Sequence, residues 1–223
     1  MNRFSYLDSA RGLAALSVTV WHFFTAFVDY RQPGLVSTSA LHFFWYGEAD
    51  VVFFFIHSGF ILSYSYTSGP KKITAGSYVR FLIERIFRIY PLFLFILFAS
   101  FALKNSNFPL INQTFYATDH IHIFWGRKYN LVTVLKEAIL FIQIPQAPGL
   151  RLIPQDWILT VEIIAGALIP LMALLLKKVK WFFYWIVIIL VIKLARLNTY
   201  IFEFATGIFL FIAGKKSKQH GWG

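Results

Sequence analysis

The sequence contains no cysteine, so disulfides, thiolate metal sites and a cysteine nucleophile are excluded together. Charge is the next shortage. Only 14% of the residues are charged, against roughly 25% in soluble domains. Negative charge is the scarcer sign, with 10 Asp and Glu beside 21 Lys and Arg. No small-x-small cleavage pattern follows the first apolar run, so that run does not read as a removable signal. No internal repeat or low-complexity tract is visible.

What is present in excess is apolar surface. The chain is 58% hydrophobic and 20% aromatic, with a mean hydropathy of +0.62. Long runs nearly free of charge identify an integral membrane protein. The net charge of +11 would suggest nucleic acid in a soluble protein. Here the basic residues cluster between apolar runs, where topology and anionic headgroups account for them, and no nucleic-acid partner is expected.

Window reading gives an all-α polytopic transmembrane bundle with spans at about 9–29, 42–63, 86–103, 157–176, 181–194 and 199–213. The last two are short for a crossing of roughly 20 residues. Lys71, Lys72, Arg80 and Arg85, then Lys177, Lys178 and Lys180, then Lys215, Lys216 and Lys218 all fall on one side of six spans. The 30–41 loop opposite carries only Arg31. Both termini are therefore placed in the cytoplasm. The expected organisation is a membrane domain over residues 1–214 followed by a basic tail, 215–223. Within the long outer connection 104–156, LVTVLKEAILFI is too short and too charged to span and reads as an interfacial helix. Trp21, Trp45, Trp125, Trp157 and Trp181 fall near the proposed interfaces. Asn112-Gln113-Thr114 matches a glycosylation sequon by chance.

Arg11 and His22 lie in LDSARGLAALSVTVWHFF. Eleven helical steps of about 100° bring both onto one face, separated by roughly 16 Å along the axis. With Arg11 at a membrane surface, His22 lies near the bilayer midplane, where an ionisable group by default marks function. Imidazole exchanges a proton near neutral pH, and burial favours the neutral form that a general base needs. The plain alternatives are a helix–helix hydrogen bond for His22 and a membrane anchor for Arg11.

Glu162 sits about 8 Å down its span, at a depth comparable to His22. It can orient or charge-stabilise the imidazole, bind sugar hydroxyls, or make a structural hydrogen bond. Asp50, entering the second span, is a weaker candidate of the same kind. Arg85 and Arg88 share a helical face at i and i+3. They can clamp a phosphorylated ligand or simply anchor the cytoplasmic side. Ser58-Gly59 suits close helix approach and an interhelical hydrogen bond. No G-x-S-x-G elbow surrounds Ser58, which argues against a hydrolase-type nucleophile. No metal-ligand spacing joins His57 to His22 or His42, and His120 with His122 is a weak chelating pattern, so no metal is expected.

Four segments in order resemble the acyltransferase 3 family of integral membrane O-acyltransferases, of the kind that acetylate O-antigen and exopolysaccharide. RGLAALSVTVWHF resembles its Arg-x10-His opening at Arg11 and His22. FFFIHSGFIL resembles FFxxSGF at Ser58 and Gly59, and ERIFRIYPLF resembles RxxRIxP at Arg85, Arg88 and Pro91. WILTVEIIAGALIP resembles WxLxxE…P at Trp157, Leu159, Glu162 and Pro170. IFEFATGIFLF resembles a later family helix.

The resemblance implies transfer of an acyl group, often acetyl, from cytoplasmic acyl-CoA as co-substrate to a hydroxyl of a cell-surface glycan or lipid-linked saccharide. It implies catalytic roles for His22, Arg11 and Glu162, and acyl-CoA binding by Arg85 and Arg88. Ser58, Gly59 and Trp157 would line the structural or substrate pocket, in a multi-pass protein of the inner or plasma membrane. Three positions depart from the pattern: His57 before Ser-Gly, Val52 where many members have Asp, and Ala165-Gly166 in place of an aromatic pair. Family members commonly have about ten spans against about six here. The expectation is a chain truncated relative to the family, completed by oligomerisation or else a non-catalytic remnant binding lipid or a partner.

Overall fold

A computed structural model describes residues 5–27, 47–67, 74–106, 129–140, 151–195 and 197–219. Among them the fold is all-helical, with no strand. Its helices are α1 (Ser5–Phe27), α2 (Gly47–Thr67), α3 (Ala75–Asn105), α4 (Leu131–Glu137), α5 (Asp156–Lys178), α6 (Trp181–Leu194) and α7 (Ile201–Gln219). Each of the six expected apolar runs lies largely on one of the long helices. Lys71, Lys72, His42, Trp45, Trp125, His120, His122 and the Asn112 sequon lie outside the described residues.

Local chemistry sets the helix starts. At α3, Ser77 N donates to Thr74 Oγ1 at 3.2 Å while Thr74 N donates to Ser77 Oγ at 2.9 Å, a reciprocal cap. At α4, Asn130 Oδ1 accepts from Thr133 N at 2.8 Å. At α7, Asn198 Oδ1 accepts from Tyr200 N at 3.0 Å, turning the chain two residues before the helix. Pro91 and Pro170 sit inside α3 and α5. Each removes one helical donor, which apolar membrane-type helices tolerate.

Among the described residues two stretches are long and apolar enough to cross a membrane: α3, with mean hydropathy 2.1, and Asp156–Ala173 of α5, with 1.7. Their burial separates them. Only 11% of the α3 window is buried, against 50% for α5. Phe87, Leu92 and Phe95 of α3 stand exposed. Exposed apolar side chains along one helix are the pattern that a membrane-facing helix presents.

The chain divides into two compact units. Unit 1 contains Met1–Leu16, Glu48–Leu82 and Val161–Gly223; unit 2 contains Ser17–Gly47 and Ile83–Thr160. In unit 1, Trp185 of α6 packs against Phe202 and Phe209 of α7, at 4.9 and 5.5 Å between ring centroids. Beside it the buried Tyr184 hydroxyl donates to Ala205 O at 3.1 Å. Tyr78 of α3 donates to Ala167 O of α5 at 2.8 Å.

In unit 2 the LVTVLKEAILFI segment is helical only over Leu131–Glu137. Glu137, which lent this segment its surface-lying character, is 3% exposed. Its Oε2 and Oε1 accept the backbone N–H groups of Leu152 and Ile153 at 2.9 and 2.8 Å. The carboxylate is an internal brace. The basic tail expected from residue 215 begins inside α7, which continues to Gln219.

Candidate functional site

Unit 1 brings together residues from three of the four motif segments. Phe54 and Ser58 stand one turn apart on the same face of α2. The half-buried Arg11 of α1 places its guanidinium 5.9 Å from the centroid of the Phe54 ring, within range of a cation–π attraction. From the next turn, Ser58 Oγ donates to Glu162 Oε1 of α5 at 3.1 Å. Ser58 is 5% exposed, so this hydroxyl and carboxylate meet largely out of water, where a hydrogen bond is stronger and an unmade one costlier.

Gly59 and Gly207 explain why Ser58 faces α5. A Cβ on Gly59 would overlap the carbonyl oxygen of Phe204, and Gly207 Cα lies 3.3 Å from that position. A Cβ on Gly207 would overlap Ile56 O and come within 2.8 Å of Phe60 N. The backbones of α2 and α7 therefore touch at two successive points, the close approach that small residues permit. Phe60 and Tyr64 add edge contacts to Phe211 at 5.4 and 6.0 Å. Held this way, α2 cannot roll about its axis, and Ser58 keeps its direction. Ser63, fully buried one turn later, returns its proton to Gly59 O at 2.7 Å. The buried His57 stacks near Phe53 at 5.7 Å between centroids.

Of the remaining sequence-predicted residues, Asp50 belongs to unit 1, and His22, Arg85, Arg88 and Trp157 belong to unit 2. His22 is half-buried on α1, its ring 4.7 Å from that of Trp21. The Trp21 indole is packed where a Cβ on Gly47 would stand. On α3, Arg85 is half-buried and Arg88 exposed; Trp157, in the first turn of α5, is half-buried. For Glu162 the structure records the Ser58 hydroxyl on its Oε1, the interhelical hydrogen bond that was one of its expected alternatives.

Sequence reasoning missed a buried ionic cluster in unit 2. Asp156, 1% exposed, pairs with Arg151, 7% exposed. Tyr129 donates to Arg151 O at 2.8 Å, and Lys104 Nζ lies 4.6 Å over the Tyr129 ring. Glu137 completes the cluster. Burial pushes its carboxyl above the ordinary value, against the lowering effect of the Ile153 and Leu152 N–H groups and of Arg151. The sequence offers little signal for it: the charges of this stretch are Lys136, Glu137, Arg151 and Asp156, spread along a connection.

The unit 1 arrangement places a hydroxyl on a proton-accepting carboxylate, with a cation anchored one turn away. That set can activate an oxygen nucleophile and stabilise developing negative charge. Among the described residues no group of three or more His, Cys, Asp or Glu side chains is placed to hold a metal ion. Comparison with the curated proteins and with the solved structures gives no match. The model of the acyltransferase 3 family, described as an acyltransferase domain, matches residues 4–222, and the chain belongs to that family.

Proposed function

We propose that this acyltransferase is a multi-pass protein of the inner or plasma membrane, with about six spans and both termini in the cytoplasm. It transfers an acyl group, acetyl in the simplest case, from cytoplasmic acyl-CoA to a hydroxyl of a cell-surface glycan or lipid-linked saccharide. Family membership supplies acyl transfer as the chemistry. The observation that carries the reading is the Ser58–Glu162 hydrogen bond, which joins two motif segments 104 residues apart.

In this reading Arg85 and Arg88 hold the phosphates of the CoA moiety through charge-assisted hydrogen bonds. Arg11 stabilises the negative charge that develops on the thioester oxygen as the carbonyl is attacked. His22 takes the proton of the acceptor hydroxyl. Glu162 fixes the polar side of the pocket through Ser58, and Trp157 offers an aromatic face to the saccharide. The bilayer is the second partner, covering the exposed apolar side chains of α3.

The test is free-thiol release from acetyl-CoA by the purified protein in lipid nanodiscs, with a saccharide acceptor present. Turnover is expected, falling by about 10²–10⁴ in His22→Ala and about 10²–10³ in Arg11→Ala. Turnover unchanged in His22→Ala would remove His22 as the base. Absence of thioester consumption with every hydroxyl acceptor tried would overturn the proposed function.

A further inference from the structure

The Ser58–Glu162 contact has the geometry of a nucleophile on its base. The hydroxyl donates at 3.1 Å to a carboxylate oxygen, within the usual reach of such pairs. Ser58 is the twelfth residue of the 21 in α2, so it lies near the middle of that helix. A hydroxyl there is placed to meet a donor from one side of the membrane and an acceptor from the other. Its main chain is immobilised by the Gly59–Gly207 crossing. The Arg11 guanidinium, held over Phe54 one turn earlier, provides positive charge on the same face. An ordinary interhelical hydrogen bond would explain the Ser58–Glu162 distance. It would not explain why the hydroxyl faces a carboxylate at mid-helix, one turn from a ring that holds a cation, in an acyl-transferring chain.

We propose that Ser58 is a covalent relay for the acyl group, with Glu162 as its base; this rests on the acyl-CoA reading above. In the first half-reaction Glu162 takes the Ser58 proton as Oγ attacks the thioester carbonyl. The new C–O bond forms, the C–S bond breaks, and Arg11 stabilises the tetrahedral oxyanion. The CoA thiolate leaves and is protonated from cytoplasmic water. In the second half-reaction the acceptor hydroxyl attacks the seryl ester and its proton passes to water. The bond to Ser58 Oγ breaks and Glu162 returns its proton to that oxygen. One thioester and one alcohol become one ester and one thiol, with no other reagent consumed.

The experiment is incubation of the full chain in nanodiscs with radiolabelled acetyl-CoA and no acceptor. It is read by quench-flow thiol release, intact mass and peptide mapping. The relay gives a burst of about one thiol per active chain and an acetyl group on the peptide containing Ser58. Label is lost in Ser58→Ala and forms at least tenfold more slowly in Glu162→Gln, which keeps the hydroxyl. Ser58→Cys carries the label as a thioester, cleaved by neutral hydroxylamine, and guards against misfolding of the alanine variant. Ser63→Ala, outside the machinery, labels as the parent does.

Steady turnover with acceptor but no burst and no label without it overturns the relay and leaves acyl transfer standing. A protein that neither labels nor turns over with acceptor overturns both. Label that survives Ser58→Ala places the acyl group elsewhere and also overturns the relay.

Discussion

In unit 1 a neutral hydroxyl meets one carboxylate between apolar helices, and the backbone contact of two glycines holds them together. In unit 2 Glu137, Arg151 and Asp156 are buried side by side, braced by backbone N–H groups and by each other. The first arrangement leaves a hydroxyl proton poised on an acceptor. The second commits its ionised groups to one another and to the main chain. The kind of partner separates the two: a hydroxyl on a carboxylate can be activated for chemistry, while carboxylates matched to a guanidinium and to backbone N–H groups belong to the frame.

The largest effect expected from breaking this contrast is at Arg151. Arg151→Met leaves the Asp156 carboxylate buried without its counter-charge, a loss of about 3–5 kcal/mol. The double change Arg151→Met with Asp156→Leu restores most of it, measured as the unfolding midpoint in detergent. A double variant as unstable as the single one would show that the pair is needed as ions. Next is Gly59→Ala, whose methyl group meets the Phe204 carbonyl; about 3 kcal/mol is expected, the upper end for overpacking. The same variant should lose acyl transfer, because α2 must shift and carry Ser58 away from Glu162. Full activity in a stable Gly59→Ala protein would detach the crossing from the site.

Glu137→Gln comes third. An amide accepts only through its oxygen, so one of the two N–H groups of Leu152 and Ile153 is left unmatched, at about 1–3 kcal/mol. Its pH dependence is the sharper reading. Burial raises the folded carboxyl above its ordinary value of 4.5, so the folded state holds the proton more tightly than the unfolded chain. The stabilisation this provides is complete below pH 4.5 and fades as pH rises through the raised value. The parent's midpoint should decline across that window, and the Gln variant's should decline less. Smallest are Tyr129→Phe and Tyr184→Phe, one in each unit. Each removes a single hydroxyl from a backbone carbonyl, for about 1 kcal/mol. Equal losses would show that ordinary hydrogen bonds have the same worth in both units and that only the charged groups differ.

The helices were legible because apolar runs report directly on residues that avoid water. The expected runs overlap α1 to α3 and α5 to α7, with ends displaced by caps such as Thr74 and Asn130 that a hydropathy window does not see. Ser58, Gly59 and Glu162 were legible as chemical types, since a hydroxyl and a carboxylate in apolar surroundings stand out. Their pairing was not, because interhelical partners are set by crossing geometry rather than by spacing along the chain. Gly59 pointed to a close approach, but nothing in its neighbourhood identified Gly207 as the other side. Glu137, Arg151 and Asp156 were illegible for the opposite reason. In a long connection, charge is read as solvated, and only the fold reveals that the backbone of residues 152 and 153 turns back to meet Glu137.

The touching glycines of α2 and α7 also restrict how this sequence can drift over generations. What a larger residue would strike at either place is main chain: Phe204 O and C on one side, Ile56 O and C and Phe60 N on the other. A clash with a neighbouring side chain can be relieved by shortening that neighbour, but every residue carries the same carbonyl. No single compensating substitution elsewhere can make room, so each position is held to glycine in descent by the main chain it faces.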